Sequence, residues 1–452
     1  MRTKLKHVFH KIQQRKPLRK EPRLSRFQKS SDFKTISSTN ATASAGFDAL
    51  GTLPTDLIGR QRNQLFYSLI DNTKYDCQGY DVITRDGYQL RTFRIQSKLN
   101  LEEKSKTFQK EGKMDASKPP VLLQHGLADS SDCWVISQSS DTSLALFLAD
   151  QGYDVWLGNN RGNKYSTGHI DPETTVKEYW DFSFDEMGTV DLPANLDLIL
   201  ANSEHQKAHL IGYSQGSSQI FAGLSDEAIG EEVNSKASRF LAVCPPVVFS
   251  ERSSFNFVLA EYSRQLKAAA DSVGLHLVAP GRYSGDCLAS KSIKKLAERF
   301  PNFLNYVVTF GCSDDGSEND RDTMAKYLSR SPNGASLRSF NHYGQLMKNS
   351  KGKGVSRFQK YDYGEELNLK KYGTVDVPEY DLGRISVPVS CFKGTDDGIV
   401  DLKDCEELLN VLKEAGVEVR GDYEYKNWGH VSFVFPRDPS RFFEEVLTEL
   451  RR

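Results

Sequence analysis

The chain has 452 residues, 38% of them apolar and 26% charged, with a formal net charge of −1. At roughly 100–200 residues per domain this length suits two or three compact units, or one large α/β domain carrying an insertion. The composition excludes a collagen-like, coiled-coil or wholly disordered chain, and no apolar run approaches the ~18 residues of a membrane span.

Near-neutrality hides a split. Residues 1–34 hold 12 Lys/Arg and 2 Asp/Glu, so residues 35–452 hold 47 of the 59 basic and 58 of the 60 acidic groups. The head is therefore +10 and the body −11. An enzyme acting on nucleic acid would carry its basic patch on the fold, so no nucleic-acid partner is expected.

Residues 1–56 read as a basic tail, rich in Ser and Thr over 30–44. Residues 1–34 lack the apolar core of about 7–15 residues that marks a secretory signal. Three readings stand: a solvated tail, peripheral contact with an anionic membrane or lipid-droplet surface helped by Leu5, Val8, Phe9 and Ile12, or an organellar transit peptide. The expected location is intracellular, in the cytoplasm or on a droplet or membrane surface. Organellar import is the alternative, as is a lysosomal location. Asn40-Ala41-Thr42 is a glycosylation sequon without a signal segment to make it meaningful. The seven cysteines are odd in number and form no CxxC pair, which points to reduced thiols and no structural zinc site.

Residues 76–95 predict a hairpin, with Asp86-Gly87 as the turn. The polar stretch 97–118 predicts an exposed loop, and 119–123 a buried strand ending before His125-Gly126. A helix follows at 142–150 and a strand at 153–159. Leu192, Leu196, Ile199 and Leu200 lie on one helical face. Strands are expected at 208–213, 240–249, 388–394 and 420–425, and helices at 215–224, 402–415 and 440–450. Alternation of strands and helices implies a mostly parallel sheet with helices on both faces. Residues 57–249 and 385–452 would form its two parts, with 250–384 an inserted cap.

Gly212-Tyr213-Ser214-Gln215-Gly216 fits G-x-S-x-G, with a strand before it and a helix after it. That context is a nucleophile elbow, whose turn is so tight that Gly212 and Gly216 must lack side chains. A serine hydroxyl needs an adjacent base. In this order of elements the acid and then the histidine follow the serine. Of nine His, only His430 lies late enough in the chain. The acid belongs on the loop after 388–394, where Asp396 and Asp397 are neighbours. The pattern G-x-x-D-x-x-V over 394–400 fits Asp397 alone. The oxyanion would be held by the N–H of Gln215 and, from the loop after His125-Gly126, the N–H of Leu127.

With these residues in place, the chain resembles the acid lipases: the gastric and lysosomal group together with the fungal steryl ester hydrolases. The likeness rests on 123–135, 148–169 with its GNNRGN, 179–200, 209–219, 329–349, 357–364, 396–404 and 429–435. It implies an α/β-hydrolase fold with an inserted helical cap, and a serine esterase whose triad is Ser214, Asp397 and His430. Leu127 and Gln215 would be its oxyanion donors, and no cofactor or metal would be needed. The implied substrate is a lipid ester, either a steryl ester or a triacylglycerol. Twelve Phe/Tyr within 300–380 suit an apolar acyl groove or the cap's own packing. A non-catalytic lipid- or partner-binding scaffold, an acyltransferase and a small-ester esterase are the competing functions. No oligomeric state is implied.

Overall fold

The computed structural model describes residues 63–103, 118–249, 317–331, 333–350 and 356–452, with 264–265, 267–268, 270–272 and 276–278. The tail expected at 1–56, most of the polar stretch 97–118 and most of the first half of the expected cap lie outside these residues.

The first elements are β1 (Tyr75–Ile83) and β2 (Tyr88–Ser97), paired antiparallel with Ile83 opposite Gln89. Gly87 closes the turn by donating its N–H to the Thr84 carbonyl at 2.9 Å. Its φ of +94° is a conformation that a side chain would resist. In chain order there follow β3 (Val121–Gln124), β4 (Val155–Gly158), β5 (Gly168–His169), β6 (Ala208–Tyr213), β7 (Ala237–Val243), β8 (Leu277–Val278), β9 (Ala335–Ser336), β10 (Val389–Gly394) and β11 (Val419–Tyr425).

Among the described residues one nine-stranded sheet runs β1-β2-β4-β3-β6-β7-β10-β11, with β5 beside β2. From β4 to β11 every pairing is parallel, and β2 joins β4 antiparallel. The strands around β6 are apolar on both faces because both faces are covered. Alternation therefore decides which core a residue enters. Val121, Leu123, Ile211 and Val243 face one core, shared with helix Leu144–Asp150 and helix Ser440–Arg451. Leu122, Leu210, Phe240 and Ala242 face the other, shared with helices Leu192–Ala201, Gln215–Ser225 and Leu402–Glu414. Each fully buried Leu or Phe contributes about 1.5–3 kcal/mol over its exposed state.

The order of elements agrees with the alternation read from the sequence, with three differences. The strand expected over 240–249 is β7, which begins earlier, at Ala237, and stops at Val243. Cys244 still donates its N–H to Phe392 O at 2.9 Å, but Pro245 and Pro246 have no N–H to continue the ladder. The loop expected from 97 is helical over 98–103. The stretch 250–384 also contains a small antiparallel pair, β8 with β9, beside helices Arg321–Arg330, Leu337–Asn349 and Glu365–Tyr372.

These later helices pack into the sheet's own cores. Met324 joins the first core, and Tyr343, Leu346, Met347, Phe358 and Tyr380 join the second. Phe184 stacks on the His342 ring at 4.0 Å and on Phe358 at 5.6 Å. Of the described aromatics, Tyr343, Phe358, Tyr361 and Tyr380 are buried, whereas Tyr327, Phe340, Tyr363 and Tyr372 are half-buried.

Helix Gln215–Ser225 lies tightly against a π-turn at Met187–Asp191. A Cβ at Gly188 would stand 2.3 Å from the Gln219 carbonyl oxygen, and one at Gly223 would stand 2.6 Å from that of Gly188. Gly188→Ala is expected to lower stability by about 1–3 kcal/mol in urea unfolding. An unchanged midpoint would contradict this close approach.

Candidate active site

β6 is buried along its whole length and hydrogen-bonded on both sides, by β3 and β7. It delivers Ser214 at its C-terminal end, where the chain turns into helix Gln215–Ser225. Ser214 has φ +53° and ψ −123°. For a residue with a side chain that costs on the order of 1–3 kcal/mol and persists only where the surroundings enforce it. The enforcement is visible. A Cβ at Gly212 would lie 2.7 Å from the Gly216 carbonyl, and one at Gly216 would lie 2.2 Å from Gln124 O. Ser214 N donates to Val243 O at 2.9 Å, and the Ser217 hydroxyl closes the turn on Gly212 O at 2.6 Å.

The histidine comes from the loop after β11. His430 opens a 3-10 turn, His430–Phe433, and is 5% exposed. Its Nε2 lies 2.9 Å from Ser214 Oγ, and its Nδ1 lies 2.8 Å from Asp397 Oδ2. An ionised carboxylate only accepts, so Nδ1 carries the proton and Nε2 is left to accept from the serine hydroxyl. Asp397 is itself held from behind, as its Oδ1 accepts from Ile399 N and Val400 N at 2.9 Å each. Asp396 is exposed and takes a hydrogen bond from Thr395 Oγ1. Asp401 caps helix Leu402–Glu414. Of the adjacent aspartates, the structure brings Asp397 to His430.

Gln215 is the first residue of its helix, where N–H groups have no intrahelical partner. Its side chain donates to Met187 Sδ at 3.3 Å. The loop after β3 comes up against the serine. A Cβ on Gly126 would meet Ser214 Cβ at 3.2 Å, which places Leu127 one residue past that approach. The next residue, Ala128, takes φ +56°.

A polar network behind this loop went unread in the sequence. Burial lowers the His125 pKa to about 4, so the ring is neutral. Its Nε2 accepts from Asn160 N at 3.1 Å and Asn163 Nδ2 at 3.0 Å, leaving Nδ1–H to donate to Gly126 O at 2.8 Å. The GNNRGN segment is thus the support of the loop. Its Arg161 is buried between Asp191, at 2.6 Å, and Asp86, at 2.7 Å, over the Tyr88 ring. Glycines flanking an Arg and three Asn were the available signal, but nothing in local spacing links them to His125.

The profile of the alpha/beta hydrolase fold matches residues 119–436, and that of a partial alpha/beta-hydrolase lipase region matches 66–138. The gastric triacylglycerol lipase of Rattus norvegicus is 29% identical over 86% of this chain and 92% of its own length. Triacylglycerol lipase 1 of Arabidopsis thaliana is 31% identical over 84% and 88%. Lipase member K of Mus musculus is 31% identical over 86% and 91%. Sheet, elbow and profile together define an α/β-hydrolase. Within that class the chain belongs to the acid lipase family, as the resemblance in its motifs implied.

The same loop carries a buried acid. Burial pushes the Asp129 carboxyl up to about 7, against the pull of Ser130 N, Tyr327 and Lys164. An acid whose folded pKa is raised adds stability that is fully present below its unfolded pKa and lost as pH rises through the folded one. At about 1.4 kcal/mol per pKa unit, up to about 4 kcal/mol is lost between pH ~4 and ~7. Urea unfolding should show Asp129→Asn gaining on the parent protein across that range. A constant difference would contradict the buried, protonated acid.

Proposed function

We propose that the protein is a serine lipase that hydrolyses carboxylic esters of neutral lipids through an acyl-enzyme on Ser214. The carrying observation is the hydrogen-bond chain from Ser214 Oγ through His430 to Asp397, 2.9 and 2.8 Å long, at a strained elbow. The relatives named as triacylglycerol lipases support the lipid substrate class.

In this reading His430 Nε2 takes the hydroxyl proton as Ser214 Oγ attacks the ester carbonyl. The N–H groups of Gln215 and Leu127 hold the oxyanion, and Asp397 stabilises the imidazolium and keeps Nδ1–H directed at itself. His430 then gives the proton to the departing alcohol. Water, activated by the same imidazole, releases the fatty acid and restores the serine. A scaffold without catalysis would have no reason to keep all three side chains aligned.

Ser214→Ala should abolish turnover of triolein and of a short-chain aryl ester, while undiminished activity would end this mechanism. Asp397→Asn leaves the imidazole in the wrong tautomer and should cost roughly 10⁴ in kcat. Asp396→Asn should change kcat by less than about twofold, since its carboxylate faces solvent. The reverse ranking would mean that the acid is misassigned. A panel adding cholesteryl oleate separates a steryl ester preference from an acylglycerol one.

The tail at 1–34, with its balance of +10, is proposed to hold the enzyme at an anionic lipid surface. Each Lys or Arg near such a surface contributes about 1 kcal/mol. Deletion of 1–34 should reduce co-sedimentation with phosphatidylserine vesicles, and added salt should reduce that of the full chain. Equal binding with and without the tail would make it a solvated extension.

A further inference from the structure

Cys244 has no part in the mechanism, yet it stands beside it. Its thiol sulfur, a carboxylate oxygen of Asp397 and a ring nitrogen of His430 all lie within 4.8 Å of one another, and all three residues are buried. The residue adopts φ +46°, a left-handed conformation costly to anything but glycine. It is pinned there by its own N–H on Phe392 O at 2.9 Å, with Pro245-Pro246 following. A strained backbone fixed at the end of β7 thus sets a sulfur next to the acid and the base.

We propose that Cys244, Asp397 and His430 form an inhibitory site for a thiophilic divalent cation of the zinc class. Thiolate, imidazole and carboxylate are the donors zinc prefers, at about 2.3, 2.0–2.1 and 2.0–2.2 Å, with a water in the fourth position. Such bond lengths put neighbouring donor atoms somewhat over 3 Å apart. The Nδ1···Oδ2 pair must open by about 0.6 Å from 2.8 Å, and the sulfur must close in from within 4.8 Å of a ring nitrogen and a carboxylate oxygen.

The chemistry balances without any oxidant. The thiol proton leaves to solvent as the S–metal bond forms. The Asp397 carboxylate exchanges its Nδ1–H partner for the metal. The ion takes the Nδ1 lone pair, so the ring proton moves through solvent from Nδ1 to Nε2. The imidazole now presents an N–H to Ser214 Oγ and has no lone pair to accept its proton. The cation therefore silences the enzyme by imposing the wrong tautomer, a fault that costs roughly 10⁴ in a triad. The silencing rests on the proposed triad, whereas the binding does not.

The test uses the full chain, buffered free zinc and a soluble short-chain ester, with cadmium as the spectroscopic probe for a sulfur–metal charge-transfer band. Zinc should inhibit in the micromolar range, and a chelator should restore turnover. Cys244→Ala and Cys244→Gly, the latter suited to a positive φ, should retain basal turnover. Both should raise the half-inhibiting zinc concentration at least about tenfold, or ~1.4 kcal/mol, and lose the cadmium band. Cys77→Ala, at the half-buried described thiol on β1, should behave as the parent. Equal zinc sensitivity in the parent and both Cys244 variants overturns the proposal. So does a cadmium band that depends on Cys244 while zinc leaves turnover untouched. Failure of the triad itself reads out separately, as metal-free turnover surviving in Ser214→Ala.

Discussion

Ser214 can hold φ +53° only because Gly212 and Gly216, two residues to either side of it, carry no Cβ. Gly216 lets the helix start press onto the Gln124 carbonyl, and Gly212 lets β6 pass under that start. Everything that follows depends on this contact. It lifts the hydroxyl clear of the sheet, and it leaves the Gln215 N–H free of intrahelical bonding at the helix N-terminus. It also fixes where the His430 imidazole meets the Ser214 hydroxyl. His430 and Asp397 reach that point from two neighbouring parallel strands, β11 and β10, whose C-terminal ends open on the same edge as β6. In open α/β sheets, the carboxyl ends of parallel strands are where ligands bind.

The sheet's second contribution is to keep the loop after β3 in place. A neutral, buried His125 is a rigid spacer, not an acid or base, because desolvation holds its pKa near 4. It ties Gly126 to Asn160 and Asn163 on the loop after β4, so the approach of Gly126 to Ser214 does not rest on the loop's own backbone alone. Arg161, in the same segment, is paired with two carboxylates, which makes its burial tolerable.

The residues that meet at the candidate site were legible because their signals are local. A glycine-flanked serine between a strand and a helix, a valine three residues after an aspartate, and one late histidine each speak for themselves. The end of β7 was not legible, since Val247, Val248 and Phe249 are as buried and apolar as the strand before them. They pack in the core without a ladder, and composition does not distinguish the two. The partnership of His125 with Asn160 and Asn163 was hidden for another reason: it spans more than thirty residues and arises from the pairing of β3 with β4. The aromatics at 343–380 announced burial but not against what. Tyr343, Phe358 and Tyr380 meet the sheet's second core, and Phe184 stacks on Phe358, which spacing alone could not foretell.

In the proposed mechanism Ser214 forms the covalent intermediate. The most direct measurement is peptide mapping by mass spectrometry after reaction with a fluorophosphonate, which traps an activated serine at the elbow. One label per chain is expected, on Ser214, with loss of esterase activity in proportion to labelling. Labelling at another residue, or full activity after stoichiometric labelling of Ser214, would contradict it.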